Sequence, residues 1–174
     1  MDNIFLFQKD PFHAFSSQHL WPLVIVFITG AISILYAKYK LDEKRQRKLL
    51  LTISFIPALG YLFYVVFAIL AGEFTIQEHL PFHVCRFVAI ATPYFIWKNN
   101  RFWLGVFYFW ILAGTLNANI TPDIRYGFPS WDYFAYWIIH SFLIIVPIYL
   151  VIVLKFTVTI KDLLYALLMA NVFL

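Results

Sequence analysis

The sequence predicts an all-α protein, a polytopic bundle of transmembrane helices. Three observations predict it. Hydrophobic residues make up 63% of the 174 positions and charged residues only 13%, against about 45–50% and about 25% in soluble domains. Mean hydropathy is +0.78. The apolar residues are gathered into long runs, several of which approach the roughly 20 residues that a bilayer crossing requires. This composition excludes a soluble enzyme, a disordered chain and a nucleic-acid module, so no nucleic-acid partner is expected and membrane lipids are. The single cysteine, Cys85, excludes a disulfide framework and a zinc site built from several thiolates.

The runs follow in order. Residues 20–39 form the first, behind an interfacial segment made by residues 4–7, Phe12, Phe15 and Trp21. Residues 1–19 have no basic start ahead of an apolar core, so no signal peptide is expected. Residues 49–71 form the second run. Residues 82–97 form a short third, with Pro81 fitting the first helical position, where its missing donor costs nothing. Residues 102–118 and 132–154 form the fourth and fifth. A sixth run, 163–174, has 12 residues and is too short for a core of about 30 Å. The expectation is therefore five full spans plus a partial sixth, in a chain shortened at its C-terminus. Pro57, Pro93 and Pro147 lie inside runs, where each removes a backbone donor and bends its helix. No internal repeat, Gly-rich loop or linker appears, so residues 1–174 read as a single transmembrane domain.

Basic residues set the expected topology. Lys38, Lys40, Lys44, Arg45, Arg47, Lys48, Lys98, Arg101, Lys155 and Lys161 flank one set of loops, ten in all, against Lys9 and Arg125 on the alternate side. Cytoplasmic loops carry the excess of Lys and Arg. The N-terminus, 72–81 and 119–131 are therefore expected outside, in an integral multi-pass membrane protein.

The residues able to do chemistry gather on that outer side. Glu78, His79, His83, Cys85 and Arg86 open the third run; Asn117, Thr121 and Asp123 stand in the loop after the fourth; Asp132, Tyr136 and His140 follow in the fifth. Ionisable residues at membrane depth are a functional hypothesis by default. Asp132, Tyr136 and His140 are spaced by four and form one polar stripe, with His140 about 12 Å along the axis from Asp132 at roughly 1.5 Å per residue. A neutral imidazole at that depth is the form that acts as a base. His83 and Arg86, three apart, share a helix face, whereas His83 and Cys85, two apart, stand about 200° around a helix and are not expected in one pocket. Each residue also has a structural role open to it. His79 can sit at the headgroups, His83 can cap its helix, His140 can bond a neighbouring helix, Cys85 can be a small buried hydrophobe, and Arg86 can pair with Asp123 or Glu78. His13 and His19 read as surface residues. Asn119-Ile120-Thr121 is a weak glycosylation sequon with Pro122 behind it.

The stretch His79-Leu80-Pro81-Phe82-His83-Val84-Cys85, the later Leu116-Asn117-Ala118-Asn119-Ile120-Thr121-Pro122-Asp123 and the intramembrane His140 resemble the YwaF-type integral membrane proteins. This is a bacterial group that includes a eukaryotic transmembrane acyltransferase acting on ether phospholipids. The resemblance covers the second to fifth runs. It implies a bacterial cell membrane, a fold of six or seven spans, functional roles for His83, His140 and the Thr121-Pro122-Asp123 element, and acyl transfer as the reaction class. In the acyltransferase the resemblance implies a cysteine directly before the histidine; Phe82 holds that position here and Cys85 follows His83 by two.

The first reading is thus a membrane-embedded lipid-modifying enzyme, performing acyl transfer or ester hydrolysis on a phospholipid at the outer leaflet, with no cofactor. His140 or His83 would be the general base, and Asp123 would orient a histidine or pair with Arg86. Arg86 would grip a phosphate, with Thr121, Asn117 and Tyr136 as further substrate contacts. The nucleophile would be a substrate hydroxyl, water, Thr121 or Cys85. The alternatives are a metal-binding membrane enzyme using His79, His83 and His140 with Asp123, and a non-enzymatic small transporter or assembly protein.

Overall fold

A computed structural model describes residues 10–173, and the expected interfacial residues 4–7 lie outside them. Four helices are long and apolar enough to cross a membrane: α1 (Ser17–Lys40), α2 (Glu43–Leu70), α5 (Arg101–Ile120) and α6 (Trp131–Ile152). Three shorter helices complete the described residues: α3 (Ile76–His79), α4 (Val84–Trp97) and α7 (Ile160–Phe173). No strand occurs among the described residues. The expected third span is therefore the 14-residue α4, about 21 Å long at ~1.5 Å per residue and short of a full crossing. The other runs were each found within a few residues of their expected bounds, α2 reaching six residues further into the basic loop.

Local chemistry fixes the helix starts. Asp42 caps α2 by accepting from the Arg45 amide at 2.9 Å, Asn100 caps α5 from Trp103 at 3.1 Å, and Ser130 caps α6 from Tyr133 at 3.1 Å. Pro81 is not the first helical residue of α4. It holds Leu80 extended (φ −78°, ψ 159°), and the chain turns through Phe82 before helix begins at Val84. Pro57 and Pro93 are carried inside their helices, whereas the hydrogen-bond ladder of α6 is interrupted at Ile144, three residues before Pro147. In α5 the ladder widens to π spacing over Ile111–Thr115.

The core runs through the middle of the bundle, where Leu50, Val88, Phe107, Leu143, Val146 and Tyr149 pack together. α2 is the central helix, closest to α6 and α4. Gly60 makes that approach possible, since a Cβ there would collide with Ile138 of α6. α7 docks on α5, where Trp110 Nε1 donates to the Ala166 carbonyl at 2.9 Å and Arg101 binds Asp162 through both guanidinium ends at 2.7 and 2.8 Å.

The connections segregate by charge. At one end, the Gly127 amide donates to the Asp10 carbonyl at 2.8 Å, the Phe128 amide to Gln18 Oε1 at 3.1 Å, and Arg125 to Glu78 at 3.2 Å. This is the acidic end. At the other, Arg47 donates to Asn99 at 2.9 Å, Arg101 to the Thr157 carbonyl at 2.8 Å and Tyr149 to the Gln46 carbonyl at 2.9 Å. This is the basic end, and it gathers the ten Lys and Arg residues named above.

Candidate functional site

A cavity of about 440 Å³ lies at the acidic end, where the start of α4, the loop after α5 and the first half of α6 meet the end of α2. His83 lines it from the turn before α4, Cys85 and Arg86 from α4, Asp123 and Arg125 from the loop, and Asp132, Tyr136 and His140 from α6. The four-residue spacing of the α6 group explains its shared direction, because the stripe faces the cavity while Ala135 and Leu143 turn into the packed core. Tyr64 and Glu73 close one side with His79.

His140 has a defined tautomer. Its Nδ1 lies 3.0 Å from the Tyr136 carbonyl oxygen. A carbonyl only accepts, so Nδ1 carries the ring proton and Nε2 keeps its lone pair. The Tyr136 ring lies over the imidazole at 4.2 Å between centroids, and the Tyr136 hydroxyl donates to the Ala118 carbonyl at 2.8 Å.

Arg86 is held against α2. Its guanidinium lies 4.9 Å from the Tyr64 ring centroid and Nη2 donates to the Tyr64 hydroxyl at 3.3 Å, while Nη1 is buried without a hydrogen-bond partner. The expected pairing of Arg86 with Asp123 or Glu78 does not form. Arg125 takes Glu78 at 3.2 Å and approaches Glu73 at 3.9 Å. Asp123 lines the cavity but has no hydrogen bond to a histidine among the described residues. The hydrogen bond to Glu78 holds the Arg125 guanidinium above its ordinary pKa.

His79 is not at a headgroup surface. It is 2% exposed and stacks on Tyr64 at 4.9 Å with 16° between the rings. Its Nδ1 lies 3.1 Å from the Thr75 amide and 3.2 Å from the Thr75 carbonyl oxygen. Burial pushes its pKa below the ordinary imidazole value, the Thr75 backbone opposes that shift, and Arg86 adds to it. His19 is likewise buried, at 1% exposed, contrary to its surface reading. It accepts from the Phe15 amide at 2.9 Å and donates from Nε2 to the Asn119 carbonyl at 2.8 Å. That partner lies 100 residues away in sequence, beyond the reach of local pattern.

His83 and Cys85 line the same cavity, against the expectation from helix spacing. His83 is the N-cap residue, with extended backbone (φ −83°, ψ 136°), so the 100° step per residue does not apply to it. The Cys85 sulfur packs where a Cβ on Gly114 would stand 3.5 Å away, beside the buried Thr115 hydroxyl. Both residues belong to the π segment of α5, and π turns of this kind recur at functional sites.

Three expectations are corrected. Asn117 and Thr121 do not reach the cavity: both are exposed and bond backward to their own helix, Asn117 to the Ala113 carbonyl at 2.7 Å and Thr121 to the Asn117 carbonyl at 3.1 Å. The metal alternative lacks its geometry: His79, His83 and His140 line the same cavity, but among the described residues no three His, Cys, Asp or Glu side chains converge to hold an ion. The sequon asparagine is 5% exposed. Asn119 instead ties helices together: its Nδ2 donates to the carbonyls of Thr115 and His140 at 2.7 and 3.3 Å, and its Oδ1 accepts from Ser141 at 2.7 Å. Sequence reasoning also missed Tyr64 and Arg125, whose only signals were an aromatic inside an apolar run and a lone cation in an acidic loop.

No curated protein and no solved structure matches the chain. Residues 14–174 match the model of the TMEM164 family, and with four helices long and apolar enough to cross a bilayer the chain is an integral membrane protein that belongs to that family.

Proposed function

We propose that the chain is a membrane-embedded lipid-modifying enzyme that transfers or hydrolyses an acyl ester of a phospholipid, with the acidic end and the N-terminus outside. The observation that carries this reading is the meeting of a thiol, a histidine with a free lone pair and a cation with an unpartnered nitrogen in one cavity: Cys85, His140 and Arg86. The resemblance to the YwaF-type proteins and their acyltransferase relative supports the same reaction class.

The roles follow from the chemistry. Arg86 Nη1 donates to a lipid phosphate. His140 Nε2 takes the Cys85 proton, and Sγ attacks the ester carbonyl. The Val84 and Cys85 amides at the start of α4, which His83 leaves without a side-chain cap, face the developing oxyanion. The carbon–oxygen bond breaks, the lipid alcohol recovers the proton from His140, and the acyl group stays on sulfur as a thioester. A second lipid hydroxyl, or water, then gives its proton to His140 and attacks the thioester, and sulfur leaves and is reprotonated.

The test is acyl release or exchange by the detergent-purified full chain, using phospholipids with labelled acyl chains. His140→Ala and Cys85→Ser are each expected to lose about 100-fold or more. Stoichiometric labelling of Cys85 by an acyl-mimicking thiol probe accompanies the reaction. Full activity in Cys85→Ser moves the nucleophile to a substrate hydroxyl or water. Absence of turnover with every phospholipid class, the protein being folded, refutes the enzymatic reading in favour of a transport or assembly role.

A further inference from the structure

Seven of the chain's eight lysines stand at the basic end: Lys38, Lys40, Lys44, Lys48, Lys98, Lys155 and Lys161. All seven are exposed. The acids at this end are Asp42, Glu43 and Asp162, and each is taken by an arginine, Arg45 at 3.5 Å, Arg47 at 3.1 Å and Arg101 at 2.7 Å. The lysines therefore carry the uncompensated charge, and none of them has an ion pair among the described residues. A topology signal requires only an excess of basic residues in these loops. It does not require that arginine neutralise every acid while every lysine stays open.

The placement identifies the partner. Lys38 and Lys40 close α1, Lys44 and Lys48 open α2, Lys98 follows α4, Lys155 follows α6 and Lys161 opens α7. The Arg47–Asn99, Tyr149–Gln46 and Arg101–Thr157 hydrogen bonds bind the three connections into one surface. The charges thus stand at the ends of five helices, not on one projecting loop. Beside them are Tyr36, Tyr39, Tyr94 and Trp97, each more than half exposed, as in the aromatic belt at headgroup depth. The Lys98 ammonium lies 4.2 Å from the Trp97 ring centroid and that of Lys38 lies 5.8 Å from Tyr39. Ammonium groups anchored on interfacial rings are aimed at headgroups.

We infer that the lysine-bearing end of this protein is a binding surface for anionic phospholipid headgroups of the leaflet it faces. A phosphodiester without a compensating amine meets open ammonium groups there, whereas a zwitterionic headgroup also brings a cation that they repel. The surface stands apart from the cavity at the acidic end, so it does not depend on the reaction proposed above.

Thermal unfolding of the detergent-purified full chain tests this, with added short-chain phosphatidylglycerol or phosphatidylcholine of equal chain length. Phosphatidylglycerol is expected to raise Tm in a saturable way that added sodium chloride weakens, and phosphatidylcholine is expected to do much less. In the variant K40Q/K44Q/K48Q/K98Q the half-saturating phosphatidylglycerol concentration should rise at least about tenfold, each lysine near a charged surface contributing severalfold. The K→R version of the same four positions should keep the response. Equal half-saturation in wild type and the glutamine variant, or equal effects of the two lipids on wild type, overturns the inference. Should the fourfold variant not fold, K40Q/K44Q and K48Q/K98Q are compared with wild type by the same criterion.

Discussion

Replacing Asn119 with alanine tests whether the polar knot behind the cavity holds its helices together. Alanine keeps the carbonyl that accepts from His19 at 2.8 Å but removes the side-chain bonds to Thr115, His140 and Ser141 at 2.7, 3.3 and 2.7 Å. Two of these join α5 to α6. Polar bonds between transmembrane helices contribute about 0.6 kcal/mol each, so their loss alone costs about 1.2 kcal/mol. Ser141, 1% exposed, is then left with a buried hydroxyl lacking its partner, which adds about 1–3 kcal/mol. The expected loss is about 2–4 kcal/mol, measured by equilibrium unfolding of the full chain in mixed micelles with tryptophan fluorescence as the signal. Removing both members of a buried pair is far less costly than removing one. Ser141→Ala in the Asn119→Ala background should therefore recover about 1 kcal/mol. A loss below about 0.5 kcal/mol for the single variant, or further destabilisation by the second substitution, would refute the accounting.

Gly60→Ala forces a methyl into Ile138 and should cost about 1–3 kcal/mol in the same unfolding assay; a neutral result means that α2 and α6 separate freely. Arg101→Lys keeps one charge but loses the two-ended grip on Asp162, so proteolysis of the connection before α7 should quicken, and an unchanged rate counts against that clamp. His79 is buried with a pKa below about 6.5. The unfolded chain binds more protons at acid pH, so the stability tied to this group is complete above about pH 6.5 and declines as pH falls towards the folded value. His79→Gln should flatten the decline between pH 7.5 and pH 5.5, and an identical slope would show that the group does not contribute. In a Cys85→Ser background, cysteines placed at Gln77 and Lys44 should label from opposite sides with a membrane-impermeant thiol reagent; labelling of both from one side would overturn the topology.

The helices were legible because their information is local. Run length located them, and Asp42, Asn100 and Ser130 mark starts that composition alone blurs. The Asp132–Tyr136–His140 stripe was legible too, since a spacing of four fixes a common face wherever the helix packs. Two kinds of error have physical causes. The first is conformational: spacing fits Pro81 to the first helical turn, but its ring holds Leu80 extended, and His83 stays outside the helix, so its angle to Cys85 does not follow from spacing. The second is competition between distant groups. Nothing near Arg86 reveals that Arg125 takes Glu78 first, or that Tyr64, 22 residues upstream, supplies a ring and a hydroxyl. His19 and Asn119 have the same origin, since two polar residues that look exposed in isolation satisfy each other in the interior.

The late start of α4 also accounts for the cavity. α4 has 14 residues and α6 spans Trp131–Ile152, 22 residues, so at ~1.5 Å per residue they are about 21 and 33 Å long. With the Trp97 end of α4 at the basic end of the bundle, its first turn stops roughly 10 Å short of the level at which α6 begins. The missing turns leave room, and the chain between α2 and α4 covers it only as a short helix and an extended turn. His140 lies nine residues into α6, about 13 Å from its start, which is near the level of the first turn of α4. A histidine that looks isolated deep in an apolar run therefore faces the uncapped start of a neighbouring helix, with Cys85 and Arg86 in its first turn. A span of full length from residue 82 would have filled that space with side chains and buried His140 against them.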